Sequence, residues 1–239
     1  MASGCHPLRA AILRTSWHFM ARSLVQGRIG DRHRCPGLFL VGGRHRARRN
    51  RQMETQSTHI TTEAFEAALA KLLDSPRDAG LLEMIVARLP KEKRRTCSEV
   101  YLSPDGGLAG DRWLLGKNGR APDPRAQVSL MNARVLRLIA GEEDRMPLVG
   151  DNLIVDLDLS EVNIPIGQRL AVGEAILEVT DKPHTGCSKF NARYGKAALQ
   201  FINAPERKEL HLRGIYARVV QAGVVRLGDK VHKIEGIYS

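Results

Sequence analysis

Arg169-Leu170-Ala171-Val172-Gly173-Glu174-Ala175-Ile176-Leu177-Glu178-Val179-Thr180 is the stretch on which the fold turns. It reads as two short apolar strands, residues 169–172 and 175–180, joined by a hairpin turn at Gly173-Glu174. The same texture spreads outward on both sides. Residues 97–102, 126–130 and 152–155 read as strands upstream, and 215–221, 224–226 and 230–234 downstream, with turns at Ala222-Gly223 and Gly228-Asp229. Only residues 132–140 interrupt them with a helical pattern. Many short strands that do not alternate with long helices argue for a mainly β (α+β) domain built as a compact barrel, and against a doubly wound parallel sheet.

Two helices are expected ahead of the barrel. Residues 61–73 place Phe65, Leu69 and Leu72 or Leu73 on one apolar face, with Thr62 as N-cap and Asp74-Ser75-Pro76 as the stop. Residues 80–89 (GLLEMIVARL) read as the second, ended by Pro90, with a charged connector over 91–95. The expected organisation is therefore an Arg-rich extension over 1–52, a helical segment over 53–96 and the barrel over 97–239.

The net charge of +11 is concentrated in that extension. Residues 1–52 hold 11 Arg, no Lys and the single acid Asp31, leaving 26 cations against 25 acids in the rest. The folded part is nearly neutral, which argues against a nucleic-acid face. An Arg-rich, acid-poor leader reads either as a mitochondrial transit peptide or as a stretch upstream of a true start at Met53. No run approaches the roughly 18 apolar residues of a membrane helix, so no membrane partner is expected. Cys5, Cys35, Cys97 and Cys187 form no CxxC pair, which fits a reducing compartment such as the cytoplasm better than a disulfide or zinc framework. The glycines of 106–110 are too few and too irregular for a phosphate loop.

The segment with the most chemical content follows the hairpin: Pro183-His184-Thr185-Gly186-Cys187-Ser188-Lys189-Phe190-Asn191-Ala192-Arg193. A lone thiol stands there on a loop at a strand end, with His184, Lys189 and Arg193 within six residues. Positive neighbours favour the thiolate, the form that attacks or binds metal. A buried, inert cysteine is the competing reading.

Several segments together resemble the MOSC domain family, named for the C-terminal domain of molybdenum cofactor sulfurase. In order they are Gly107-Leu108-Ala109-Gly110-Asp111-Arg112, Gln127-Val128-Ser129-Leu130-Met131-Asn132, Gly150-Asp151-Asn152-Leu153, Ile166-Gly167-Gln168-Arg169-Leu170, the Cys187 loop, and Gly214-Ile215-Tyr216-Ala217-Arg218-Val219 through Gly228-Asp229. The resemblance implies a barrel that binds the molybdenum cofactor (Mo-molybdopterin), with Cys187 as the metal ligand. It further implies His184 and Asn191 as catalytic neighbours, and Arg112, Arg125, Ser129, Asn152, Thr185, Lys189 and Arg193 as cofactor contacts. Ser129 reads equally as a cap for the following helix, and Asn152 as a turn cap. Stand-alone bacterial members often carry a His-rich, Gly-containing stretch after the Gly-Asp-Arg segment, where this chain has Trp113 to Arg120 (WLLGKNGR). Two functions follow. One is a reductase of small N-hydroxylated or N-oxygenated substrates, fed by a separate electron-donor protein because no flavin, haem or iron–sulfur motif is present. The other is a non-enzymatic carrier of cofactor or of sulfur as a Cys187 persulfide.

Overall fold

A computed structural model describes residues 61–116 and 119–234; the expectations for the Arg-rich extension lie outside them. The chain runs α1 (Thr62–Leu73), β1 (Ala79–Arg88), β2 (Arg94–Cys97), β3 (Glu99–Ser103), β4 (Gly107–Leu108), β5 (Val128–Asn132), α2 (Ala133–Ala140), β6 (Leu153–Asp156), β7 (Arg169–Val172), β8 (Ala175–Val179), α3 (Ser188–Ile202), β9 (Ile215–Gln221), β10 (Gly223–Arg226) and β11 (Lys230–Ile234). Strands β11-β7-β8-β9-β5-β6-β1 hydrogen-bond in that order, and β11 pairs back onto β1 to close a seven-stranded barrel. Strand β2 hangs on β1 outside the ring, and β10-β3-β4 form a separate small sheet. The quoted hairpin is there in register, Val172 opposite Ala175 and Arg169 opposite Glu178.

The second expected helix is a strand. Residues 79–88 form β1, which pairs with β2, β6 and β11 and is therefore part of the barrel wall. Ten residues with a short apolar run satisfy both periods, and here the pairing partners on both sides decide. Gly80 makes the strand possible: a Cβ there would lie 1.9 Å from the Asp156 carbonyl oxygen on β6. The barrel accordingly begins at Ala79, not near residue 97.

Two apolar clusters hold the fold. The barrel interior is filled by Leu82, Ile85, Leu130, Leu153, Val155, Leu170, Leu177, Ala217 and Val231, among others, nearly all with no exposed surface. The outer wall of β5 and β6 offers Met131 and Ile154 to a helical layer of α1, α2 and α3, where Phe65 stacks on Phe201 with centroids 4.8 Å apart. Helix α1 starts one residue earlier than expected: the Thr61 hydroxyl, not Thr62, accepts from the Ala64 amide.

The cap of α2 is Asn132 and not Ser129. Its Oδ1 accepts from the Arg134 and Val135 amides, while Nδ2 donates to Ser75 Oγ and the Leu157 carbonyl. One side chain thus satisfies two orphan helix donors and joins α1's exit to β6. Asn132→Ala should lower stability by about 2 kcal/mol, a lost cap plus newly unpaired buried groups, as read from urea unfolding. A loss no larger than that of an exposed alanine substitution would contradict this account.

Candidate functional site

One mouth of the barrel gathers the polar residues that the interior excludes. The end of β1 brings Arg88, the approach to β6 brings Asp151 and Asn152, the exit of β8 brings the loop 180–187, and the entry to β9 brings Arg213 and Tyr216. The first layer is an aspartate keystone. Asp111 accepts from the Arg88 amide at 2.7 Å and from its guanidinium at 2.8 and 2.9 Å, from the Trp113 amide at 2.8 Å and from Asn152 Nδ2 at 3.0 Å. Burial pushes this carboxyl up, but Arg88 and the two amides overcome it and hold Asp111 below its ordinary value.

Asn152 is wholly committed to that network. Its Nδ2 also donates to the Val86 carbonyl, and its Oδ1 accepts from the Ser129 amide and hydroxyl. Ser129 Oγ in turn accepts from the Asn152 amide. Both residues are buried. They stitch β5 to β6 at the mouth, which assigns them to the barrel wall.

Above them lies a second buried pair. Arg213 Nη1 donates to Asp151 Oδ2 at 2.5 Å, and the guanidinium sits over the Phe190 ring, 5.4 Å from its centroid. Asp151 Oδ1 faces His184 Nε2 at 3.5 Å, and the imidazole packs on Tyr216 with centroids 4.1 Å apart. Burial, with Arg213 and Arg88 nearby, holds His184 well below its ordinary value, so the ring is neutral at pH 7. His184 Nδ1, Asp151 Oδ1 and Arg213 Nε are buried without a hydrogen-bond partner among the described residues.

The loop that carries Cys187 is pinned from behind. Asn203 accepts from the Gly186 amide at 2.8 Å and donates to its carbonyl at 3.1 Å. Gly186 lies so close to α3 that a Cβ would meet Leu199 and Ile202 at 2.6 and 2.8 Å. This return contact is possible because α3 breaks at Gly195, whose φ of 87° departs from the helical region. Cys187 itself is exposed and free at the start of α3. Partial burial pushes its thiol up, yet the Phe190 and Lys189 amides, with Arg213 and Arg193, bring it below the ordinary thiol range. Its alkylation by iodoacetamide should therefore reach half-maximal rate at a lower pH than that of free cysteine. A rate profile that coincides with free cysteine would contradict the assignment.

The remaining expected residues divide. Arg193 donates to the Leu148 carbonyl and to Glu92, and Lys189 pairs with the same Glu92. Arg112 is half-buried and has no hydrogen bond or ion pair among the described residues; its charge, with those of Arg193 and Arg88, acts on Arg94. Arg125 is tied instead to Asp123 and Asp181. Asn191 is exposed, and its amide donates to the Cys187 carbonyl. Thr185, with Pro183, His184, Arg213 and Tyr216, borders a cavity of about 430 Å³ whose other walls include Ile166, Val179, Ile202 and Leu212.

Sequence reasoning missed Arg88, Arg94, Asp111, Asp151, Arg213 and Tyr216 as site residues. Asp111 and Asp151 stood inside the family segments, and an acid fixed beside Gly in each was the available signal. Nothing local marks Arg88, which falls in the expected helix, or Arg94, which falls in the expected connector over 91–95.

A closed barrel whose mouth carries a thiol loop defines a class of small β-barrel domains. A family model described as "MOSC domain" matches residues 108–232, more than half of the chain. The chain belongs to the MOSC domain family. Among solved structures, the YuaD protein from Bacillus subtilis is 21% identical, with 66% of this chain and 97% of that one covered at a TM-score of 0.47. YiiM from Escherichia coli is 19% identical, covering 66% of this chain and 72% of that one at a TM-score of 0.42. At these identities neither carries chemistry over to this chain. A search of curated proteins finds no significant match.

Proposed function

We propose that this protein holds the molybdenum cofactor at the barrel mouth, with Cys187 as the protein's ligand to the metal. The observation that carries the reading is the exposed, free Cys187 at the start of α3, on a loop clamped by Asn203 within a MOSC barrel. Its thiol is drawn below the ordinary range by the first amides of α3 and by Arg213 and Arg193. The donor set fits such a group. No three His, Cys, Asp or Glu side chains gather among the described residues, so a bare ion has no cage there. A single soft thiolate suits a metal that arrives with its own sulfur ligands. Arg94, Arg112 and Arg193 supply positive charge for a terminal phosphate. Orphaned His184 Nδ1 and Arg213 Nε are what a mouth shaped around a polar group leaves behind.

When bound, the cofactor supplies two-electron oxygen-transfer chemistry, here the reduction of N-hydroxylated or N-oxygenated compounds. The chain's own residues do the rest. Cys187 holds the metal as thiolate, and the Asn203 clamp on Gly186 fixes where that sulfur stands. His184, neutral and wedged between Asp151 and Tyr216, orients the loop and is no reservoir of protons at pH 7. The apolar-walled cavity beside it receives the body of a small substrate. Electrons come from a separate donor protein, and the free thiols of Cys97 and Cys187 suit a reducing compartment, the cytoplasm by preference.

The test is metal and pterin content after expression in a host that makes the cofactor. About one Mo and one pterin per chain are expected in the wild type, with the Mo lost in a folded Cys187→Ala variant. Stoichiometric Mo in that variant would overturn the ligand assignment. Absence of both from the wild type, with a persulfide on Cys187 by mass spectrometry, would replace the reading with the sulfur carrier.

A further inference from the structure

The turn between β1 and β2 does something its sequence does not require. Residues 90–93 close the hairpin, with the Leu89 amide donating to the Lys93 carbonyl at 2.9 Å. Two non-glycine residues at its tip, Lys91 and Glu92, take left-handed backbone angles, φ of 56° and 59°. Such angles are unfavourable for residues with a Cβ and persist where surrounding contacts hold them. The contacts here are ionic and reach across the mouth. Glu92 Oε1 accepts from Lys189 Nζ, and Oε2 accepts from Arg193 Nη2 at 2.8 Å. From behind, Arg94 Nη1 donates to the Glu92 and Lys93 carbonyls at 2.9 and 3.0 Å. The Arg94 guanidinium is seated on Gly150, where a Cβ would come within 2.9 Å of it, and its Nε has no partner among the described residues.

The result is a carboxylate held among cations. Arg94 lies within the fields of Arg193, Arg88 and Arg112 as well as that of Glu92, and Lys189 and Arg193 are within six residues of Cys187. Arg88 is already neutralised by Asp111. Among the described residues Lys189 and Arg193 share Glu92 as their one acidic partner, while Arg94 and Arg112 form no ion pair. Two cations on one exposed carboxylate, with Arg94 on the turn's carbonyls and Arg112 in the field of Arg94, match a phosphate better than they match that carboxylate, since a phosphate brings more charge and more acceptor oxygens.

We propose that the β1–β2 turn is an acidic latch: Glu92 occupies a phosphate-binding site formed by Lys189, Arg193, Arg94 and Arg112, and a phosphate-bearing ligand displaces it. This deepens the cofactor reading and rests on it only for whose phosphate is taken. Release of Glu92 frees the turn from its left-handed tip, so ligand entry and turn movement are one event. The latch keeps the mouth closed to weak anions and opens it to a phosphate.

Inorganic pyrophosphate is the probe, titrated into the full-length, cofactor-free protein by calorimetry at low ionic strength. Glu92→Gln should bind it about 5–10-fold more tightly than wild type, and adding Arg193→Ala should abolish the gain. Glu99→Gln, which removes the same charge on the small sheet, should change affinity less than twofold. Equal effects of Glu92→Gln and Glu99→Gln, or no measurable pyrophosphate binding in Glu92→Gln, would overturn the latch. Its failure is separable from that of the cofactor reading, because Mo content is measured independently. In protein loaded with cofactor, loss of the Glu92-sensitive site would mean that the cofactor's own phosphate fills it, and retention that a separate phosphate ligand does. Both results uphold the latch.

Discussion

Asp151→Ala should destabilise the protein by about 3–5 kcal/mol in urea unfolding, because it strands Arg213 inside the wall. The carboxylate is the guanidinium's only acidic partner among the described residues, at 2.5 Å, and both side chains are at least nine-tenths buried. Arginine keeps its charge at any accessible pH, so it cannot escape by losing a proton. The same substitution removes the group facing His184 Nε2, so the loop before Cys187 should loosen with it. Asp151→Asn, which keeps the shape and an acceptor but not the charge, should fall between. A cost below about 1 kcal/mol for the alanine variant would mean that the pair is not what holds the entry to β9.

Gly214→Ala should be at least as damaging, through backbone rather than charge. Gly214 has φ of 98°, and a Cβ there would stand 2.0 Å from the Leu130 carbonyl oxygen, a rigid neighbour on β5. The left-handed angle alone costs about 1–3 kcal/mol, and the overlap forces β9 away from β5 on top of it. Gly228 separates the two contributions. Its φ is 85°, and a Cβ added there would meet nothing within 4 Å, so Gly228→Ala should cost only the backbone part, about 1–2 kcal/mol. Thermal unfolding of the two variants side by side reads the difference; equal losses would remove the steric argument.

The hairpin around Gly173 and the strands near Gly228 were legible because turn residues punctuate alternating runs. The 80–89 strand was not, since a ten-residue apolar run fits either period and its identity is settled by β6 and β11, some 70 and 150 residues away. That misreading hid part of the mouth. With β1 and β2 taken as helix and connector, Arg88, Glu92 and Arg94 had no reason to lie near Cys187. Cys187 was found because its surroundings are local, whereas its charge environment is assembled from distant strand ends. For Ser129 and Asn152 the sequence leaves open a cofactor contact or a local cap, because polar side chains in a family segment invite both readings. Their hydrogen bonds run to each other, and from Asn152 also to the Val86 carbonyl on β1 and to Asp111.

Closure of the ring by β1 and β11 pairs Ala79 with His232 and Leu81 with Lys230. A barrel sealed by strands that lie some 150 residues apart in the chain cannot close until that whole span is available for pairing. Until then β1 presents one unsatisfied edge. The folding rate of such a barrel is governed by the slow meeting of distant segments, and its open edge is exposed until they meet.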